Sequence, residues 1–240
     1  MKTVLITGAN KGIGLETARQ LAQQGCFVYI GSRDLSNGQQ AADELKATGI
    51  ANVAAVQLDV TDVDTINRAK EAISRQTGSL DVLINNSAIA GEQPQRLADG
   101  SMENLRHLFD TNFFGMVQTT QIMLPLLKAS ATPSIINVSS EVGSLTMNSS
   151  PDRRGNWTLY SGYGATKTAV NAFTAMLANE LRDEHITVNS VTPGHTATGL
   201  NGFTGTKTVA EGAKPIVALA LSTDRTVTGR FFKDGGEVSW

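Results

Sequence analysis

Short runs of aliphatic and β-branched residues alternate along this chain with longer segments in which apolar residues return every three or four positions. The runs Thr3–Thr7, Cys26–Ile30, Val53–Leu58, Asp81–Ile84, Ser134–Ser139 and Thr187–Val191 are nearly continuously apolar, and a shorter one follows at Arg230–Phe232. Continuous rather than alternating hydrophobicity is what parallel strands require when both faces of the sheet are covered. Between the runs the pattern turns helical. Leu15, Ala18, Leu21 and Ala22 share one face, with Gly25 placed to end that helix in a left-handed turn. Val63, Ala69 and Ile73 mark another helix, and a longer pattern spans Met102–Leu127, ahead of Pro133. Strand, helix and strand in repetition predict an α/β, doubly wound Rossmann-type fold. Its mostly parallel, seven-stranded sheet has helices on both faces and right-handed crossovers. Such sheets bind ligands beyond the carboxyl ends of their strands.

Two segments break the rhythm. Gly143–Gly162 is polar, with Asn148, Ser149, Ser150, Pro151, Asp152, Arg153 and Arg154 in succession, and Gly194–Lys214 is rich in Gly and Thr. Both follow strand ends on the expected ligand side and are read as irregular active-site loops. No Pro/Gly/Ser-rich linker divides the 240 residues, so one domain over 1–240 is expected.

Composition narrows the classes further. With 40% hydrophobic and 18% charged residues the chain is not disordered. The net charge is −2 and no basic block is visible, which argues against a nucleic-acid partner. No apolar stretch approaches the ~18 residues of a membrane span, and the apolar run after Met1-Lys2 is too brief for a secretory signal. A cytoplasmic protein with no membrane partner is therefore expected. Cys26 is the single cysteine, which excludes an internal disulfide and reads as a buried, inert thiol. His107, His185 and His195 show no ligand spacing, so no metal is expected.

The first candidate chemistry lies between the first strand and the first helix, in Thr7-Gly8-Ala9-Asn10-Lys11-Gly12-Ile13-Gly14. Glycines there let the chain turn sharply, approach a pyrophosphate and pack helix against sheet, while the helix N-terminus offers free N–H groups to phosphate. The second lies in Tyr163-Gly164-Ala165-Thr166-Lys167, at the head of a helical pattern through Val170, Phe173 and Leu177. A four-residue step puts phenol and ammonium on one helix face. A phenol titrates near pH ~10, so a neighbouring ammonium that stabilises the phenolate would suit it to exchange a proton with an alcohol oxygen.

The spacing Gly-x-x-x-Gly-x-Gly after a threonine, joined with Tyr-x-x-x-Lys downstream of Ser139-Ser140, resembles the short-chain dehydrogenase/reductase family over almost the whole chain. The resemblance implies a catalytic set of Asn112, Ser140, Tyr163 and Lys167. In the family the serine holds the substrate oxygen and the tyrosine transfers the proton. The lysine lowers the tyrosine pKa and holds the cofactor ribose, and the asparagine positions a water chain to the lysine. Ser140 is preferred to Ser139 because Gly143 follows it by three, and Tyr160 is a lesser rival to Tyr163 because it lacks a lysine four residues on.

The implied cofactor contacts are Gly8, Asn10, Lys11, Gly12, Ile13, Gly14, Arg33, Asp59, Val60, Asn86, Tyr163, Lys167, Thr196 and Thr198. Asn85-Asn86-Ser87-Ala88 departs from the family's Asn-Asn-Ala-Gly in its last residue. Asn10–Leu15, Ser32–Asp34, Thr111–Gly115 and the tail from Glu211 resemble the carbonyl reductases most, which implies NADPH and a small ketone or aldehyde substrate.

Asp34 stands at the distance where an acid reads the 2′-hydroxyl of NAD, but the second strand is expected to end near Ile30, which leaves Asp34 in a loop. Lys11 and Arg33 favour NADP(H). An NAD-dependent secondary-alcohol dehydrogenase is the alternative, and a non-catalytic cofactor-binding regulator a more distant one. Substrate identity and oligomeric state stay open.

Overall fold

In the computed structural model, residues 1–152 and 156–240 are described; Arg153 and Arg154 of the polar segment lie outside them. Seven parallel strands form the body of one sheet: β1 (Thr3–Ile6), β2 (Phe27–Ser32), β3 (Val53–Gln57), β4 (Val82–Asn85), β5 (Ser134–Val138), β6 (Thr187–Val191) and β7 (Phe231–Lys233). An eighth, β8 (Gly236–Glu237), turns back antiparallel on β7, giving the order β3-β2-β1-β4-β5-β6-β7-β8. Among the described residues the expected seven strands thus become eight. The added one is a two-residue return around Asp234-Gly235, with Gly235 at φ +81°, too short to leave a hydrophobic signature.

Helices α1 (Gly12–Gln23), α2 (Leu35–Ala47) and a late helix, Val209–Leu221, cover one face. They enclose Val4, Ile6, Val28, Ile30, Ile136 and Ile216. Helix α3 (Val63–Thr77), the helix Gly115–Lys128 and the helix Ser161–Glu180 cover the other, around Leu5, Tyr29, Ile66, Leu83, Met123, Ile135 and Val188. Alternate residues of β1 therefore feed opposite cores: Val4 and Ile6 one, Leu5 the other. Each such fully buried aliphatic side chain is worth roughly 1.5–3 kcal/mol. The chain leaves β3 at one edge and returns as β4 beside β1, which opens the crevice where the strand order reverses.

Three departures from the sequence pattern bear on the site. Strand β2 runs to Ser32 rather than Ile30, pairing Gly31 with Val56 and Ser32 with Gln57. Gly31 looked like a strand end but is a point of close approach, since a Cβ there would meet the Ile6 carbonyl at 2.9 Å.

The pattern over Met102–Leu127 is not one helix. It divides into α4 (Met102–Phe109), a π-helical turn at Asp110–Phe114, and α5 (Gly115–Lys128). The wider turn inserts an extra residue and so rotates the side chains that follow.

The two expected irregular loops also carry more structure than their composition suggested. The first contains a short helix α6 (Leu145–Asn148) and a 3₁₀ turn, Trp157–Tyr160, before α7 (Ser161–Glu180). The second ends early. Thr208 and Glu211 form a reciprocal capping box that starts α8 (Val209–Leu221) inside it. No helix among the described residues is long and apolar enough to cross a membrane.

Candidate active site

The glycine turn between β1 and α1 is built as its residue types required. Gly8 sits at φ +62°, and a Cβ on it would approach the Ser87 hydroxyl at 2.8 Å. Gly14 presses on the turn itself, where a Cβ would meet the Asn86 amide at 2.6 Å and the Gly8 carbonyl at 2.7 Å. Asn86 fastens the turn by donating from Nδ2 to the carbonyls of Thr7 (2.8 Å) and Gly8 (3.1 Å). The Thr7 hydroxyl accepts from the backbone N–H groups of Asn86 and Ser87, so the ends of β1 and β4 are locked together. Helix α1 has Lys11 at its N-cap and no side-chain cap, which leaves the first N–H groups around Gly12 and Ile13 open to an anionic ligand.

The other residues expected at a dinucleotide follow the ends of β3 and β6. Asp59 accepts from the Thr61 N–H (2.9 Å) and hydroxyl (2.7 Å), while buried Val60 packs where a Cβ on Gly115 would come within 2.8 Å. Thr196 is buried beneath Gly212 of α8, and the Thr198 methyl lies 3.8 Å from the Cβ position of Gly12. Asn201 ties the two threonines together, donating to the Thr196 carbonyl (2.9 Å) and accepting from the Thr198 N–H (3.1 Å).

Lys11 and Arg33 are both exposed. Asp34 is the N-cap of α2, its carboxylate accepting from the Ser36 N–H (2.8 Å), the Ser36 hydroxyl (2.6 Å) and the Asn37 N–H (3.3 Å). The Ser36 hydroxyl, followed by these backbone donors, holds its pKa below the usual range.

The acid–base group sits at the carboxyl ends of β4 and β5. Tyr163 and Lys167 lie one turn apart on α7, with the Lys167 ammonium 5.5 Å from the centroid of the tyrosine ring. Lys167 is only 3% exposed, and its Nζ donates to the Val138 carbonyl at 2.8 Å. Burial pulls its pKa down to about 8 and pushes the half-buried Tyr163 phenol above its ordinary value. Desolvation, not the neighbouring ammonium, sets the tyrosine in this state, opposite to the lowering expected from charge alone.

The two serines separate cleanly. Ser139 is buried and points its hydroxyl at the Lys167 carbonyl (3.3 Å), whereas Ser140 is partly open and its oxygen accepts a long 3.4 Å bond from the Val142 N–H. Gly143 lets that turn lie on α7, since a Cβ there would meet the backbone of Lys167 at 2.6 Å. Asn112, in the π turn, is buried. It grips Ile89 from both sides, accepting from its N–H (2.8 Å) and donating to its carbonyl (3.0 Å), and also reaches the Thr166 hydroxyl at 3.3 Å.

Tyr160 is partly exposed at the N-cap of α7, and His107, His185 and His195 are all exposed. Cys26 is buried, with burial raising its thiol pKa.

Sequence reasoning passed over Gln95. Its side chain accepts from the Tyr163 N–H (2.8 Å) and donates to the Ala90 carbonyl (2.5 Å). The tyrosine is 68 positions away and no local pattern marks the pair.

A sheet crevice with a glycine turn at one wall and a Tyr–Lys–Ser group at the other defines an α/β oxidoreductase of the dinucleotide-binding class. The chain belongs to the short chain dehydrogenase family, whose sequence pattern matches residues 2–208. It is 31% identical over 301 residues to salutaridine reductase of Papaver bracteatum, covering all of this chain and 96% of the relative, which therefore carries insertions absent here. Among solved structures, salutaridine reductase of Papaver somniferum superposes with a TM-score of 0.85 at 28% identity, over 98% of this chain and all of that one. A short chain dehydrogenase from Shigella flexneri complexed with NADP gives 0.83 at 25% identity, over 97% and 96%.

Proposed function

We propose that this protein is an NADPH-dependent carbonyl reductase acting on a small ketone or aldehyde. The observation that carries the reading is the Tyr163–Lys167 pair at the end of β5, where the partly exposed Ser140 follows the strand.

The glycine turn fits a pyrophosphate, because helix α1 starts without a side-chain cap and Gly12, at φ +58°, leaves the space before its first N–H groups clear, the nearest atom to a Cβ there being 3.8 Å away. Gly8, Asn10, Gly12, Ile13 and Gly14 would hold it, with Asp59 and Val60 near the adenine and Asn86, Thr196, Thr198, Tyr163 and Lys167 toward the nicotinamide end. Bound there, the reduced nicotinamide supplies the hydride.

The protein supplies the rest. Ser140 donates a hydrogen bond to the carbonyl oxygen and orients it. Tyr163 gives that oxygen its proton; its raised pKa keeps the phenol protonated before the reaction. Lys167, charged below about pH 8, stabilises the phenolate left behind. Asn112 keeps the Ile89 segment and Thr166 in register with the lysine.

Lys11 and Arg33 support the choice of NADP(H), as two exposed cations, one at the N-cap of α1 and the other directly after β2. Asp34, already spent on capping α2, is poorly placed to accept from a ribose. Charge-assisted bonds to a 2′-phosphate are worth about 1.5–3 kcal/mol each. NADPH is therefore expected to exceed NADH by at least about tenfold in kcat/KM.

A panel of ketones and aldehydes, assayed with each cofactor by absorbance, tests the reading, with Tyr163→Phe as the control. Turnover in that variant should fall at least ~10²-fold with cofactor affinity unchanged. Near-normal turnover would remove Tyr163 from the role, and a preference for NADH with alcohols would favour the dehydrogenase.

A further inference from the structure

Helix α7 begins without a cap of its own. Tyr160 at its N-cap position offers no side-chain hydrogen bond, so the first N–H groups of the helix need partners from elsewhere. They find them in one residue 68 positions back along the chain. The Gln95 backbone carbonyl accepts from the Gly162 N–H at 3.2 Å, and its side-chain Oε1 accepts from the Tyr163 N–H at 2.8 Å. A further bond, from the Gln95 N–H to the Leu159 carbonyl at 3.0 Å, closes the junction on the other side.

The remaining end of the same side chain points the other way. Gln95 Nε2 donates to the Ala90 carbonyl at 2.5 Å, next to Ile89, whose backbone Asn112 grips. The segment 86–90 starts at Asn86, which holds the glycine turn, so Gln95 links the cofactor wall to the backbone that carries the phenol. The residue is 4% exposed and both functions of its amide are used. A buried amide whose two ends are paired fixes the distance between its partners, because either bond lost leaves a desolvated group unpaired.

We propose that Gln95 is a positioning residue that sets the Tyr163 hydroxyl relative to the cofactor wall, acting through the backbone N–H of the tyrosine. The proposal rests on the reading of Tyr163 as proton donor. It accounts for a buried glutamine in a loop otherwise rich in exposed residues, Glu92, Arg96 and Leu97 among them. A misplacement of the reacting group by ~1 Å can cost up to ~10²-fold in rate, so a partial loss is expected when one tether goes.

The experiment is a double-mutant cycle. Gln95→Met keeps the length of the side chain and removes both hydrogen bonds; it is measured alone and with Tyr163→Phe, using NADPH and a ketone from the panel. Gln95→Met alone should lower kcat about tenfold, with the dissociation constant of NADPH, read by protein fluorescence, within about twofold of the parent. In the Tyr163→Phe background it should cost almost nothing more, since the group it positions is gone. Gln95→Glu, which keeps an acceptor for the Tyr163 N–H but loses the donor to the Ala90 carbonyl, should recover only part of the rate.

A loss that persists undiminished without the tyrosine hydroxyl, a matching loss of NADPH binding, or no loss in Gln95→Met would each overturn the proposal. If Gln95→Met does not melt cooperatively, the same cycle is run with Gln95→Asn, which keeps the amide but draws it back by one methylene. High activity in Tyr163→Phe alone would sink the reading of the tyrosine. A dead Tyr163→Phe beside a fully active Gln95→Met would sink this inference only.

Discussion

Burial decides what each side chain of the site can contribute. Ser139 and Ser140 are adjacent in sequence, yet one hydroxyl is buried against the Lys167 carbonyl and the other is partly exposed, its oxygen accepting from the Val142 N–H. Ser140→Ala is therefore expected to lower kcat/KM about tenfold or more by removing a donor to developing charge. Ser139→Ala should act mainly on thermal stability. Kinetics and melting of the two variants separate these outcomes, and a reversal would exchange the roles.

The lysine makes a pH prediction with a definite sign. Its pKa is about 8 in the folded protein against the ordinary 10.5, so the unfolded chain binds the proton more tightly. The cost of burying the charge is fully present below pH 8 and is relieved as pH rises toward 10.5. Urea unfolding should show wild type gaining stability relative to Lys167→Met between pH 8 and 10. Over the same range the reductive kcat/KM should fall, as the ammonium that supports the phenolate is lost.

At the scale of elements, the ends of helices and strands do the positioning. Asp34 illustrates how a residue type at a suggestive spacing is assigned by its element: it caps α2 through Ser36 and Asn37. Asp34→Ala should lower stability, as for other lost N-caps, while leaving the preference for NADPH intact or stronger. Denaturant melts together with the NADPH/NADH ratio of kcat/KM check both halves. The π turn at Asp110–Phe114 is the other such case. It turns Asn112 inward onto Ile89, which a continuous α-helix over Met102–Leu127 would not predict.

Across the whole molecule, residues distant in sequence meet around the crevice. The chain's last residues strap the wall of the site. The Ser144 hydroxyl donates to the Ser239 carbonyl at 2.7 Å, the Thr146 N–H donates to the Trp240 carbonyl at 2.7 Å, and the Trp240 ring stacks on Phe231 with centroids 5.8 Å apart. Trp240→Ala removes a ring contact worth about 0.5–1.5 kcal/mol. It should speed hydrogen exchange at Leu145–Asn148 while leaving β1 and β5 protected.

Much of this architecture was legible beforehand. Continuous apolar runs and three-to-four-residue periods reflect burial on one or both faces, which is a local property, so the parallel sheet, the helices and the order of the glycine turn and Tyr-x-x-x-Lys could be read directly. What only the tertiary structure decided are the features made by contact between distant segments. Gly31 continues a strand because Ile6 passes beside it. Asn85, Asn137 and Ser190 come into register across β4, β5 and β6, with Thr120 and Thr174 completing a buried polar layer. Gln95 meets Tyr163 across 68 positions of sequence. Periodicity records which face of an element is buried; it carries no information about which remote polar group will be buried against it.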